Sequence, residues 1–191
     1  MNVYDFDGTI YKGDSTRDFY FYLLSHYPKV IKYLPNFIFS AFKYSLGIIS
    51  KTKMKENLYR FLICFNDDEI DKIVSEFWLG HKYKINNWYY DKKKNDDVII
   101  SASPRFILSY ICKEFNVHLI CSEVNKKNGD YIGINCQGDE KVRRFYEEFP
   151  NGKIDEFYSD SKSDMPLAKI AKKSYMVKNG KIKDWNINCK F

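Results

Sequence analysis

Four short stretches of this chain carry side chains able to do chemistry together. Asp5 and Asp7 stand one residue apart in Val3-Tyr4-Asp5-Phe6-Asp7-Gly8-Thr9. Ser101 follows an apolar run in Ile100-Ser101-Ala102-Ser103-Pro104, and Lys141 closes Gly138-Asp139-Glu140-Lys141. Asp160 and Asp164 lie four residues apart in Ser159-Asp160-Ser161-Lys162-Ser163-Asp164. Acids crowded at one loop mouth repel each other unless a cation or a shared proton sits between them. Such a pair is costly for stability and makes sense as chemistry. A hydroxyl at a strand end, followed by helix-start amides, forms a seat for an anion. A lysine in the first turn of a helix opposes the macrodipole, and becomes purposeful where it faces a bound phosphate. Read singly, each stretch also has a plainer meaning: an acidic turn, or a serine or aspartate N-cap.

These residues need elements to hold them. Asn2 to Tyr4 are mostly β-prone and read as a strand, with Gly8 letting the chain turn sharply out of the sheet. Val98-Ile99-Ile100 is the continuous apolar run expected of a strand buried on both faces. Pro104 suits the first turn of a helix continued by Phe106, Ile107, Tyr110 and Ile111. Further strands are expected at Val117 to Ile120, Tyr131 to Ile134 and Ile154 to Tyr158, with a helix opening at Gly138. A hairpin is expected across Asn179-Gly180, pairing Tyr175 to Val177 with Lys181 and Ile182. Each chemical stretch then follows a candidate parallel strand or opens a helix, and open α/β sheets gather ligands at the carboxyl ends of their strands.

Between Ser15 and Asn95 the pattern is helical. Asp14 or Ser15 caps a helix bearing Phe19, Tyr20, Leu23 and Leu24. Pro28 starts a second apolar segment through Ile49, interrupted by Lys32, Pro35 and Lys43, which makes a spanning helix a poor reading. Met54, Leu58, Phe61, Leu62 and Phe65 share one helical face. The acidic start Asn66 to Glu69 leads into a helix burying Ile70, Ile73, Val74 and Phe77, with Gly80 at its expected end. Ile85, Trp88 and Tyr89 suit one more helix. The aromatics Tyr33, Phe37, Phe39, Phe42 and Tyr44 either pack these helices together or line an apolar entrance.

The composition narrows the function classes. One domain with an insertion accounts for 191 residues. A net charge of +6 is carried by scattered lysines, compatible with anionic substrates but too diffuse for a nucleic-acid footprint. Five cysteines (Cys64, Cys112, Cys121, Cys136 and Cys189) form no C-x-x-C pair, and His26, His81 and His118 are far apart. Neither a disulfide framework nor a zinc site is expected. The start of the chain has no signal-peptide pattern, so the cytoplasm is the default.

The four stretches, in this order, resemble the four motifs of the haloacid-dehalogenase superfamily: D-F-D-G-T, I-S-A-S-P, the lysine of G-D-E-K-V-R-R, and S-D-S-K-S-D. The resemblance spans residue 1 to about 170, and the helical insertion looks like the cap of the phosphoserine-phosphatase-like subfamily (subfamily IB). It implies an α/β fold with a Rossmann-like three-layer core and a parallel sheet, plus an inserted helical cap. The core would comprise 1–14 and 96–191, and the cap 15–95. The chain departs from the pattern twice. Ser159 stands where the family often has glycine, and Asp14 is the sole acid near the place of the phosphoserine enzymes' characteristic cap glutamate.

The activity implied is Mg²⁺-dependent hydrolysis of a small phosphate monoester. Asp5 would attack phosphorus to form an aspartyl-phosphate, and Asp7 would protonate the leaving alcohol and then activate water. Asp5, the main-chain carbonyl of Asp7, and Asp160 would hold Mg²⁺. Asp164 would support the metal's water shell or orient Lys141. Lys141 offsets charge, Ser101 bonds a phosphoryl oxygen, and Thr9 is expected beside the phosphate or shaping the same loop. The expected partner is a small phosphorylated metabolite, with no nucleic acid and no stable membrane insertion. Phosphotransferase or phosphomutase chemistry retains both acids of motif one and stays open. So, more remotely, does non-catalytic binding of a phospho-ligand.

Overall fold

The computed structural model describes residues 1–186. Strand β1 (Asn2–Tyr4) opens the chain. A helical stretch follows: α1 (Ser15–His26), α2 (Leu34–Ser45), α3 (Lys51–Tyr59), α4 (Asp67–His81) and α5 (Asn87–Lys92). Then come β2 (Val98–Pro104), α6 (Arg105–Phe115), β3 (His118–Val124), β4 (Tyr131–Ile132) and α7 (Asp139–Glu148). The chain continues through β5 (Glu156–Ser159), α8 (Met165–Ile170), β6 (Lys173–Lys178) and β7 (Lys181–Asp184). Cys189 lies outside the described residues; Cys112, Cys121 and Cys136 are buried as free thiols.

The seven strands form one sheet in the order β4-β3-β2-β1-β5-β6-β7. The five central strands are parallel, while β4 and β7 pair antiparallel at the two edges. Strand β1 lies in the middle, with β2 on one side and β5 on the other. The chain winds outward in one direction through β2 and β3, then returns to β1's other flank through β5 and β6. The strand order therefore reverses at β1, and such a reversal opens a crevice at the carboxyl ends. Asp5 and Asp7 leave the sheet at that point.

Alternation along the strands feeds two cores. Val3, Val98, Ile100 and Phe157 turn to one face, against Phe145 of α7 and Leu167 of α8. Tyr4, Ile99 and Tyr158 turn to the other, against Ile107 and Ile111 of α6. This is the three-layer α/β arrangement. The second core does not stop at α6. It continues without a break into Phe19 of α1 and Phe77 and Trp78 of α4. Trp78 Nε1 also donates to the carbonyl of Ile107 at 2.7 Å, tying α4 to α6. Beneath the crevice, Tyr4, Tyr158 and Tyr175 stack across three adjacent strands at centroid distances of 4.9 and 4.8 Å. Trp88 stacks on Tyr158 at 5.6 Å.

Local signals account for most boundaries. Asp14 caps α1 by accepting from the Arg17 amide. Asn66 and Glu69 form a reciprocal capping box at α4, as the acidic start suggested. Asn179 and Gly180 both adopt positive φ, as a two-residue hairpin turn requires. Three expectations shift. Gly80 lies inside α4, because the helix runs one residue further and the Lys82 amide closes on Trp78 O. The face from Met54 to Phe65 is broken after Tyr59 into a tighter 3-10 turn over Arg60–Cys64. Strand β2 runs past Ile100 to Pro104, with its register against β3 slipping between Ser101 and Pro104. Such irregularities re-aim side chains beside active sites. No helix among the described residues is long and apolar enough to cross a membrane.

Because Trp78 is fully buried where α4, α1 and the sheet meet, Trp78→Ala is expected to cost about 3–5 kcal/mol. Urea denaturation should show that loss as one cooperative transition. Two separate transitions, with the sheet unaffected, would mean that the helices and the sheet have independent cores.

Candidate active site

The loop after β1 is set by its backbone. Gly8 has a φ of +73° and its amide donates to Gly13 O at 2.8 Å, closing a tight turn. The glycine is required for space as well as for conformation. A Cβ there would lie 2.0 Å from Asp160 Oδ2, so the carboxylate of motif four rests against the bare backbone of motif one. The Asp5 amide donates to Tyr158 O at 2.9 Å, continuing the β1–β5 pairing up to the first acid of motif one.

Lys141 is 2% exposed and stands between two acids. Its Nζ donates to Asp5 Oδ1 and to Asp164 Oδ2, each at 2.8 Å. Burial works to lower its pKa, but the Asp5 and Asp164 carboxylates outweigh that and raise it, so the amine stays an ammonium. The first turn of α7 is held firmly. Arg144 donates to Glu140 and to the carbonyl of Cys121 on β3. Bonds from Arg143 and then Arg144 hold the Glu140 carboxyl down at about 2.

Asp164 Oδ2 also accepts from Ser159 Oγ at 2.7 Å, while that hydroxyl accepts from the Ser161 amide at 3.1 Å. Ser159, the departure from the family pattern, therefore fastens both the loop and its second acid. Glycine could do neither.

Asp7 is oriented from two sides. The Ser15 amide, at the start of α1, donates to Oδ1 at 2.6 Å, and Ser103 Oγ donates to Oδ2. With its proton committed to Asp7, Ser103 accepts from Thr16 Oγ1 at 3.0 Å. Ser101 Oγ accepts the Ser103 amide at 3.1 Å, which leaves its own proton to donate into the cleft. Burial pushes the Asp5 carboxyl up, with the Lys141 ammonium opposing it and Asp164 and Asp160 adding to it. Burial likewise pushes Asp7 up to about 6, and raises Asp160.

The structure thus gathers Asp5, Asp7, Ser101, Lys141, Asp160 and Asp164 around one cleft of about 220 Å³. Thr9 is set apart. It is fully buried, its hydroxyl has no partner, its carbonyl accepts from Asn86, and it does not line the cleft. A larger hollow of about 570 Å³ lies beyond Gly8 and Asp160, but Asp160 is its single acid.

The cleft has further walls that the motifs did not reveal. Lys51 and Lys55, four apart on α3, line it together with Asp14. Lys55 is half-buried, and burial lowers its pKa against the pull of Asp14. The i, i+4 spacing was visible in the sequence, but looks the same as any solvated lysine face. Arg60 and the aromatics Tyr33, Phe37, Phe39, Phe42 and Tyr44 are not among the lining residues. Ser103 and Thr16 were likewise hidden as ordinary cap-type residues.

The donors suit a hard cation. Asp5, Asp160 and Asp164 place three carboxylates against one buried ammonium, and all the donors are oxygens. Among the described residues no three His, Cys, Asp or Glu side chains converge as a cage by themselves. The set implied by the motifs does not need one, since two carboxylates and the Asp7 carbonyl leave the remaining positions to water.

Residues 3–169 match the sequence model of the haloacid dehalogenase-like hydrolases. No curated protein matches the chain. Among solved structures, a protein of unknown function from Bordetella pertussis Tohama I superimposes with a TM-score of 0.72 at 17% identity, over 91% of this chain and 87% of that one. A phosphoserine phosphohydrolase-like protein from Francisella tularensis subsp. tularensis SCHU S4 gives 0.53 at 14% identity, over 91% and 86%. A phospho-aspartyl intermediate analogue of phosphoserine phosphatase gives 0.52 at 12%, over 90% and 83%. At such identities the likeness is one of fold.

Ser159→Ala tests the fastening of Asp164. Removing a bond to a charged group costs roughly 1.5–3 kcal/mol, so the thermal midpoint should fall. An unchanged midpoint would show that Asp164 is held without Ser159.

Proposed function

The chain belongs to the haloacid dehalogenase-like hydrolases, and from that premise we propose that it hydrolyses a small phosphate monoester through an aspartyl-phosphate. One observation carries the reading: Lys141 binds Asp5 through Oδ1 alone, leaving Oδ2 as a fixed and partly neutralised nucleophile at the mouth of the cleft. Phosphate monoesters resist attack because they are anionic, so a site must neutralise charge and align the groups.

Asp5 Oδ2 forms a bond to phosphorus as the ester P–O bond breaks, and Asp7 gives its proton to the departing alkoxide. Asp7, now a carboxylate, takes a proton from water as that water attacks the aspartyl-phosphate. Phosphate leaves, Asp5 is restored, and the proton is back on Asp7. The Thr16–Ser103–Asp7 chain and the Ser15 amide keep the acid aimed. Ser101 donates to a phosphoryl oxygen, and Lys141 offsets its charge. Asp5, the Asp7 carbonyl and Asp160 would hold Mg²⁺, with Asp164 behind Lys141 and near the metal's waters. When bound, the ion supplies charge neutralisation and orientation of the phosphoryl group.

Residues 15–95 are read as a cap, supported by α3 lending Lys51 and Lys55 to the cleft. With Asp14 also lining the cleft, these walls favour a leaving group bearing further charge, an anionic group toward the lysines and a cationic one toward Asp14. The phosphoserine phosphatase named among the fold neighbours acts on a substrate of that description. The aromatic residues supply no such wall, so an apolar leaving group is not favoured.

Asp5→Asn is expected to abolish both turnover of an aryl phosphate and covalent labelling by an acyl-phosphate mimic. Asp7→Asn should still be labelled when the leaving group is good, but should hydrolyse the adduct slowly. Turnover of the unaltered protein should vanish on chelation and return with Mg²⁺. Normal turnover in Asp5→Asn would remove the nucleophile assignment.

A substrate panel tests the lysines. Lys51→Ala/Lys55→Ala should raise KM about tenfold or more for monoesters with a carboxylate in the leaving group, the weight of one or two charged hydrogen bonds, and leave a neutral aryl phosphate little changed. Equal effects on both would assign the lysines to the phosphate instead.

A further inference from the structure

Helix α2 leaves much of its apolar surface exposed. Of its twelve residues only Ser40 is buried, and Ser40 accepts a hydrogen bond from Asn57 of α3 at 2.8 Å. Leu34 and Phe37 pack against the core, Phe37 edge-on to Tyr20, but most of its other apolar residues face out. Ile31, in the turn before it, then Ile38, Phe39 and Phe42, then Leu46 and Ile48 beyond its end are each 49–64% exposed. With Leu34 and Pro35, four of these line an open groove of about 560 Å³. Scattered exposed apolar residues need no explanation, but a contiguous face does.

Charge says what covers it. From Phe19 to Lys55 the chain has six lysines and no aspartate or glutamate. Lys32 and Lys43 lie beside the apolar face with their amines over the Tyr33 and Phe39 rings, at 5.3 and 4.5 Å. No carboxylate pairs with either among the described residues. Long cationic side chains flanking exposed rings fit a surface apolar within and anionic at its edge. A second copy of this face would bring lysines against lysines. We propose that the α2 face, with the turns on either side of it, docks peripherally on an anionic lipid bilayer. Aliphatic and aromatic side chains enter the acyl boundary, and the lysines meet the headgroups. The turn after α2 ends at Ser50, the N-cap of α3 and one residue before Lys51 of the cleft wall, so docking sets the cleft close to the membrane surface. The binding concerns α2 and does not depend on which reaction the cleft performs.

Co-sedimentation of the full chain with unilamellar vesicles tests this. Binding should be at least about tenfold tighter to phosphatidylcholine containing about one-third phosphatidylglycerol than to phosphatidylcholine alone, since each lysine near such a surface contributes about fivefold. Raising NaCl to about 0.5 M should weaken it, because surface charges are then screened. Phe39→Asp/Phe42→Asp should lose binding to both vesicles. Lys32→Glu/Lys43→Glu should lose at least about 25-fold, on the anionic ones alone. Circular dichroism melting of each variant establishes that it is folded, and the exposed positions make that the expected result. Absence of binding to anionic vesicles by the unaltered chain would overturn the proposal. So would sedimentation-velocity evidence of a dimer that Phe39→Asp/Phe42→Asp dissolves, which would give the face to a second copy.

Discussion

The ammonium of Lys141, buried between Asp5 and Asp164, sets the terms for everything around it. A buried charge is tolerable only when paired and hydrogen-bonded, and here its two partners come from opposite ends of the chain. Asp5 sits at the tip of β1, while Asp164 precedes α8 and is fastened through Ser159 on β5. Strands β1 and β5 must therefore hold register to the last residue, and the Asp5 amide bond to Tyr158 does so. Helix α7 must deliver its first turn to the same point, and Arg144 pins it to the carbonyl of Cys121 on β3. The reversal of strand order at β1 leaves room above the sheet for all three to meet. Removing the lysine would leave two acids facing each other in a buried site.

Much of this was legible in the chain because the signals are local. Gly8 after paired aspartates, an unbroken apolar run before Ser101, and Asn179-Gly180 between two short strands each encode their own conformation. So do Asn66 and Glu69, whose side chains and backbones close a cap within four residues. What stayed hidden depends on distant neighbours. Lys51 and Lys55 look like a solvated stripe until α3 is laid across the crevice. Ser103 reads as a helix cap until the register slip in β2 turns it toward Asp7, with Thr16 behind it. Ser159 looked like a departure from a pattern, and only the position of Asp164 gives its hydroxyl a task. Thr9 shows the converse: a residue close in sequence to two reacting acids is turned into the interior, with its carbonyl satisfied by Asn86.

The helical stretch combines two opposed kinds of packing. On its inner side, Phe19, Phe77 and Trp78 merge with the sheet's own core, so α1 and α4 are part of one apolar body with α6. On its outer side, α2 bonds to α3 through Ser40 and Asn57 and sets Leu34 and Phe37 against the core, but leaves Phe39 and Phe42 in solvent. The inner part orients Asp7 through Ser15 and Thr16, while α3, whose Leu58 and Tyr59 are buried in the same core, carries the two lysines of the cleft wall.

The tyrosine stack beneath the crevice has an optical consequence. Tyr4 immediately precedes Asp5, Tyr158 lies two residues before Asp160, and the indole of Trp88 rests on the second ring. Excitation absorbed by these phenols has a short path to one indole, and that indole lies directly under both acidic loops. Trp88, one of three tryptophans in the chain, is thus a native fluorophore in contact with both β1 and β5. Its share of the emission offers a probe of displacement between those strands that puts no dye in the cleft.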